Sequence, residues 1–309
     1  MKYPIFDGHC DTALRFFHRG LPTFGTPGAH VTLPAMAALP RYAQFFAFCT
    51  VCYPTRLTPP ELFRQALGDF TSQLETHGEQ MTLCTDRTGL DRAWQQGKTA
   101  AFLALEGAEA MDCDPGRMEE MAALGITMIA PAWNYENALS GTNQTGGGLT
   151  AAGREFVRRA GEWGIILDVS HISDRAFFEI CELAEGPVVA SHSNSRTLCP
   201  HPRNLTDDQF RCLRDRGGTV GLNLYAGFLR QEGPANLDDI RRHLEHFLSM
   251  DGEKTVALGG DLDGISAWPE GFHGLESYRD LFALLEAHGY GTSLLEALGA
   301  GNLARVLKE

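Results

Sequence analysis

The chain is short of basic charge. Its 309 residues carry 26 Lys and Arg against 39 Asp and Glu, a formal net charge of -13, whereas nucleic-acid binding depends on clustered cations. A nucleic-acid partner is therefore excluded, and the acidic balance otherwise favours solubility. No apolar run reaches the roughly 18 residues that span a bilayer, so no membrane partner is expected. The amino end runs at once into a strand-like segment without a basic and apolar leader, and a cytoplasmic protein is the expectation. No low-complexity or charged linker interrupts the chain, which reads as a single domain over residues 1–309. Cys49-Thr50-Val51-Cys52 is the lone CxxC, with no second pair or His pair at zinc-finger spacing. Its setting after Phe45-Phe46-Ala47-Phe48 reads as buried structural thiols, with a redox or metal pair as the rival.

What is present is an alternation of two periodicities. Apolar, β-branched or aromatic runs recur at residues 5–11, 44–52, 100–107, 126–133, 164–171, 187–193, 219–224 and 256–263. Segments of helical period separate them, among them 60–77, 153–163, 174–184, 207–216 and 238–250. Eight such units predict a closed (β/α)8 TIM barrel, with further helices over 275–287 and 293–307 packing on its outside.

Barrel chemistry sits at the carboxyl ends of strands. The first run ends in His9-Cys10-Asp11, and residues two apart on a strand share one side. Later runs end in Glu106, His171, His192 and Asp261-Leu262-Asp263. Of the other histidines, His18, His30, His77, His243, His246, His273 and His288 fall in loops or helices. His243 and His246, one turn apart, could chelate, against which stands an ordinary solvated helix face. Imidazoles and carboxylates without thiolate suit zinc or a similar divalent ion, and their number exceeds one tetrahedral set. Two divalent ions, taken as Zn2+, are implied: His9, Asp11 and Glu106 for one, Glu106, His171 and His192 for the other, with Glu106 bridging. For each residue the plain alternative is a hydrogen-bonded core side chain.

Several motifs then resemble, in order, those of the renal (membrane) dipeptidase family, zinc metallopeptidases of the amidohydrolase type. They are Phe6-Asp7-Gly8-His9-Cys10-Asp11, Glu106-Gly107, Gly148-Leu149-Thr150-Ala151-Ala152-Gly153, Leu167-Asp168-Val169-Ser170-His171, Ala190-Ser191-His192-Ser193, Pro202-Arg203-Asn204-Leu205, Gly259-Gly260-Asp261-Leu262-Asp263-Gly264 and Gly301-Asn302-Leu303-Ala304-Arg305-Val306. The resemblance implies a binuclear zinc site, Asp261 as the proton shuttle, Arg203 holding the substrate carboxylate, dipeptide substrates often with a D-residue at the carboxyl end, and a homodimer. Without the resemblance, Arg203 reads as a surface arginine. The expected chemistry is attack on the peptide carbonyl by a hydroxide bridging the two ions. Asp263 could share the role of Asp261. Where mammalian members place a histidine after the fourth strand, this chain offers Trp133, whose N–H donates but cannot become cationic; it polarises the carbonyl or serves as an aromatic wall. Asn137, residues 141–148 and Tyr225 are expected to shape the pocket. The sequons at Asn143 and Asn204 are expected to carry no sugar. Rival readings are a deacetylase or deaminase of the same superfamily, and a binding barrel in which metal only stabilises the fold. A phosphate-binding barrel fits less well, because Asp261 and Asp263 would repel the anion.

Overall fold

The computed structural model describes residues 2–19, 24–25 and 28–309. Among them, the strands are β1 Ile5–Cys10, β2 Tyr42–Phe48, β3 Met81–Leu83, β4 Thr99–Glu106, β5 Ile126–Ala130, β6 Ile166–Asp168, β7 Val188–Ala190, β8 Thr219–Leu222 and β9 Val256–Leu258. All pair in parallel in the order β2-β1-β9-β8-β7-β6-β5-β4-β3, and a β2–β4 pairing closes the ring. The fold is the expected (β/α)8 barrel. The unexpected strand is β3. It pairs with Thr99 to Ala101 at the start of β4 and lies on the edge that β5 takes over from Leu103. Three residues are too few to show a period of two, so its sequence carried no strand signal.

The alternation of β4 sorts the core. Ala100, Phe102 and Ala104 join Phe6, Phe45, Met128, Ile166, Val189 and Ala257 in one interior cluster, while Ala101, Leu103 and Leu105 face the helical layer. Phe6 packs on Phe45 and Phe102 at 5.4 and 5.1 Å between ring centroids. By the same alternation Glu106 points inward at the carboxyl mouth.

Strand β1 departs from strict alternation. Asp7 pairs with Gln44 but Cys10 with Phe46, so two residues of β1 oppose one of β2. This bulge matters to the site. With Phe6 inside, unbroken alternation would send His9 outward; the extra residue returns it to the interior.

The carboxyl end corrects an expectation. Residues 293–307 are not one outer helix: Thr292–Glu296 leads through the wider turn Ala297–Gly301 into Asn302–Ala304. Ala300, Leu303, Ala304, Val306 and Leu307 join the interior cluster. Asn302 donates to the carbonyl of Val256 at 2.7 Å and accepts from Thr219 Oγ1 at 3.1 Å, so this segment plugs the amino-terminal mouth of the barrel.

Candidate metal centre

The five residues named from the sequence converge at the carboxyl mouth, all buried. Glu106 ends β4 and offers Oε1 to three imidazoles: His171 Nε2 at 2.8 Å, His192 Nε2 at 3.5 Å and His9 Nε2 at 3.6 Å. His9 Nε2 lies 3.5 Å from Asp11 Oδ2. Two triads result, His9-Asp11-Glu106 and Glu106-His171-His192, each with ligand atoms within 4.8 Å of one another.

The donor set fits a cation. His171 Nδ1 faces the amide oxygen of Asn134 at 2.9 Å, so that nitrogen carries the proton and Nε2 keeps its lone pair, with Arg203 Nη2 at 3.2 Å from it. His192 Nδ1 lies 2.7 Å from Ser191 Oγ, whose own proton goes to Asp168, and again Nε2 keeps its lone pair. The two Nε2 atoms stand 3.1 Å apart. Burial holds both imidazoles well below the ordinary range, so neither supplies a proton to the gap. His9 Nε2 is buried with no hydrogen-bond partner. Arg203 reaches only the His171 nitrogen, so the lone pairs of His171 and His192 still face each other in a buried site, where a cation between them relieves the repulsion. At His9 burial pushes down, but Glu106 and Asp11 outweigh it and hold the ring up to about 10, which marks a site short of positive charge.

Asp168 is also near His9 and His192, yet its carboxylate already accepts Ser170 N–H, Ser170 O–H, Ser191 N–H and Ser191 O–H. Three of these bonds fall on Oδ1 and one on Oδ2, and they commit the carboxylate to orienting the His192 strand end.

Asp261 stands beside the triads. It is left-handed (φ 56°), donates its N–H to the His9 carbonyl at 3.1 Å and accepts from Asn223 Nδ2 at 3.0 Å. Burial, opposed by His9 and reinforced by Asp11, pushes its carboxyl up to about 6. Gly264 permits this crowding: a Cβ there would lie 2.1 Å from Asp11 Oδ2 and 2.5 Å from Asp261 Oδ1. Asp263 does not share the site. It is taken by Thr12 Oγ1 at 2.7 Å, Arg15 and the backbone of His30, tying residues 28–31 to the loop after β9.

Arg203 is buried, not superficial. Its Nη1 donates to the Ser170 carbonyl, its Nη2 faces His171 Nε2 at 3.2 Å and the His192 carbonyl at 3.3 Å, and the guanidinium rests 5.5 Å from the Phe228 ring centre. Asp11, Glu106 and His171 of the triads, with Asp261 and Arg203, face a cavity of about 240 Å3, with Trp133, Tyr225, Phe228, Tyr53, Cys52 and Ile265 among its walls. The Trp133 ring stands 6.1 Å from that of His171.

Other expectations resolve differently. Asn137 bonds Glu109 and the Pro131 carbonyl and frames its own loop. Residues 141–148 close on themselves through Gly141 N–H to Gly148 O, and Asn143 braces the His171 carbonyl; none of them lines the cavity. Cys49 and Cys52 are free thiols, the second against the Cys49 carbonyl. Asn204 is buried and donates to two carbonyls, which leaves it no access for a sugar. Asn134, Asn223, Phe228 and His201, 4.6 Å from Phe228, were missed as contributors, because an Asn or Phe in a loop has no periodic signal.

His243 and His246 neither chelate nor share a solvated face. His243 is buried, accepting the Ser195 N–H at Nδ1 and donating from Nε2 to Leu229 O, while His246 meets Asp207. Burial lowers His243 to about 4. An unfolded histidine titrates near 6.5, so the unfolded chain binds the extra proton first, and stability falls as pH drops from there towards 4. Metal-free protein should lose on the order of 3 kcal/mol through this group. Denaturant unfolding at successive pH values should show a flatter acid limb in His243→Gln.

Fold and centre together define a parallel barrel whose carboxyl mouth is built to hold divalent metal beside a free carboxylate and a buried cation. The chain belongs to the membrane dipeptidase family, peptidase family M19, whose model matches residues 1–309. It is a metal-dependent dipeptidase of that family. An uncharacterised protein from the pqqA 5' region of Klebsiella pneumoniae is 34% identical over 262 residues, 81% of this chain and 96% of that one. The crystal structure of a family M19 metallopeptidase, dipeptidase AC, superposes with a TM-score of 0.91 at 27% identity over 99% of this chain and 98% of the other. A Rhodobacter sphaeroides metallopeptidase, solved with a phosphinate mimic of the dipeptide L-Ala-D-Ala, gives 0.90 at 26% identity over 98% of each chain.

Proposed function

We propose that the protein hydrolyses dipeptides with a free carboxyl end, D-residues at that end included, with two zinc ions held by His9, Asp11 and Glu106 and by Glu106, His171 and His192. The observation that carries this reading is the sharing of Glu106 Oε1 among three buried imidazoles. When bound, such ions supply a water of lowered pKa and polarise the carbonyl. Glu106 and the imidazoles hold that charge in place, and Asn134 and Asp168 fix the ring orientations. Asp261 takes the proton of the attacking water and returns it to the departing amine. Arg203 grips the terminal carboxylate, with Trp133 and Tyr225 as walls around the side chains. The Rhodobacter enzyme's L-Ala-D-Ala mimic supports the inclusion of D-residues at the carboxyl end. The protein is proposed to act in the cytoplasm as a homodimer; among the described residues no helix is long and apolar enough to cross a membrane.

The test is a screen of zinc-reloaded protein against L-L and L-D dipeptides, acylated amino acids and a nucleobase. Hydrolysis confined to acylated amino acids, or deamination alone, would overturn the reading. A second check addresses Arg203 without mutating it. Hydrogen bonds to a charged group contribute about 1.5–3 kcal/mol, so a dipeptide amide should lose about 10- to 150-fold in kcat/KM relative to the free acid. Equal rates for acid and amide would remove Arg203 from that role.

A further inference from the structure

Beneath the centre lies a carboxylate that binds no metal in this reading. Asp7 is fully buried. Its Oδ1 accepts the N–H of His9 at 2.9 Å and the N–H of Gly260 at 3.0 Å, and its Oδ2 accepts the Tyr278 hydroxyl. The Asp7 carbonyl accepts Gln44 Nε2 at 3.3 Å.

The backbone explains why a carboxylate stands there. β1 bulges between Asp7 and Cys10, and its ladder with β9 consists of one pair, Asp7 with Leu258. A bulge leaves amides without a ladder partner, and a buried N–H must still be paired. Asp7 supplies the acceptor that the missing rungs would have provided. The bonds form a closed ring: Asp7 to His9 N–H, His9 carbonyl to Asp261 N–H, and Gly260 N–H back to Asp7. The space is filled, since a Cβ on Gly260 would lie 2.6 Å from the Tyr278 hydroxyl and 2.8 Å from Asp7 Oδ2. His9 and Asp261 thus take their places relative to each other from one side chain that touches neither the substrate cavity nor the reacting atoms.

We propose that Asp7 is a positioning residue that sets the backbone of His9 and of Asp261, and through them the metal affinity and turnover of the centre. This rests on His9 being a metal ligand and Asp261 the proton carrier. Asparagine could keep the geometry, with Oδ1 accepting both amides and Nδ2 donating to the Tyr278 oxygen. Alanine could not.

The test is a zinc titration of the purified variants against a chromophoric chelator, with kcat, KM and Tm measured alongside. Asp7→Ala should weaken zinc binding about 10- to 100-fold, as loss of outer hydrogen bonds does in other metal sites, and lower kcat by a similar factor with little change in KM. Asp7→Asn should bring the affinity most of the way back. Thr219→Val, which removes a buried hydrogen bond at the opposite mouth, should lower Tm and leave zinc affinity and kcat unchanged. Wild-type affinity in Asp7→Ala, or equal losses in the asparagine and alanine variants, would overturn the proposal. Should Asp7→Ala not fold, Asp7→Ser, too short to reach both amides, takes its place. Failure of both to fold would make Asp7 purely structural and would overturn the proposal equally. The zinc titration needs no substrate, so a wild-type protein that binds zinc but cleaves no dipeptide would count against the proposed function alone.

Discussion

Glu106→Gln is expected to remove at least about three orders of magnitude from kcat, close to 4 kcal/mol at 1.36 kcal/mol per decade, and to lower the bound zinc. The reason is positional. Oε1 faces His171, His192 and His9 from 2.8, 3.5 and 3.6 Å, so one atom serves both triads. An amide keeps the shape but loses the charge, and its NH2 end donates where ligands must accept. His9 loses the first of the carboxylates that hold it up, and the two triads lose the atom they share. Metal analysis of dialysed protein and steady-state kinetics check this together. Full zinc content with full activity in Glu106→Gln would remove this residue from the centre.

Asp261→Asn is expected to lower kcat by about 10²- to 10⁴-fold, the range of a positioned acid–base group, and to leave the metal content unchanged. Asparagine tolerates the left-handed backbone at this position (φ 56°), so the chain path survives the change. The N–H bond to His9 O is a backbone bond and is untouched. What disappears is an ionisable oxygen beside Asp11 and Glu106. Loss of metal in this variant would show Asp261 to be a ligand rather than a proton carrier. Activity near that of the wild type would leave the proton with another group.

Much of the centre was legible because its residues sit where a local rule puts them. Strands end where alternation stops, and in a parallel barrel all those ends share one rim, so the spacing of His9, Glu106, His171 and His192 along the chain already implied a common mouth. His9 and Asp11 are instructive, since they do share one side. They reach the interior only because of the bulge beside Asp7, which strict alternation from Phe6 would not supply. Asp261 and Asp263 were equivalent on paper. Tertiary structure separated them, because Thr12, Arg15 and His30, more than 230 positions away, occupy one of the two. His243 shows the same limit in the other direction, since a helix-face histidine became a buried one through Ser195 and Leu229.

The sequence by itself determined the barrel, the family and the chemical character of the candidate metal ligands, since each follows from period, residue type and the order of motifs along the chain. Only the tertiary structure decided which carboxylate faces the cavity, that Arg203 is buried there, which outer groups orient the imidazoles, and that the last residues plug the barrel. Those depend on hydrogen bonds and steric contacts between residues distant in sequence, and no local pattern encodes such a contact.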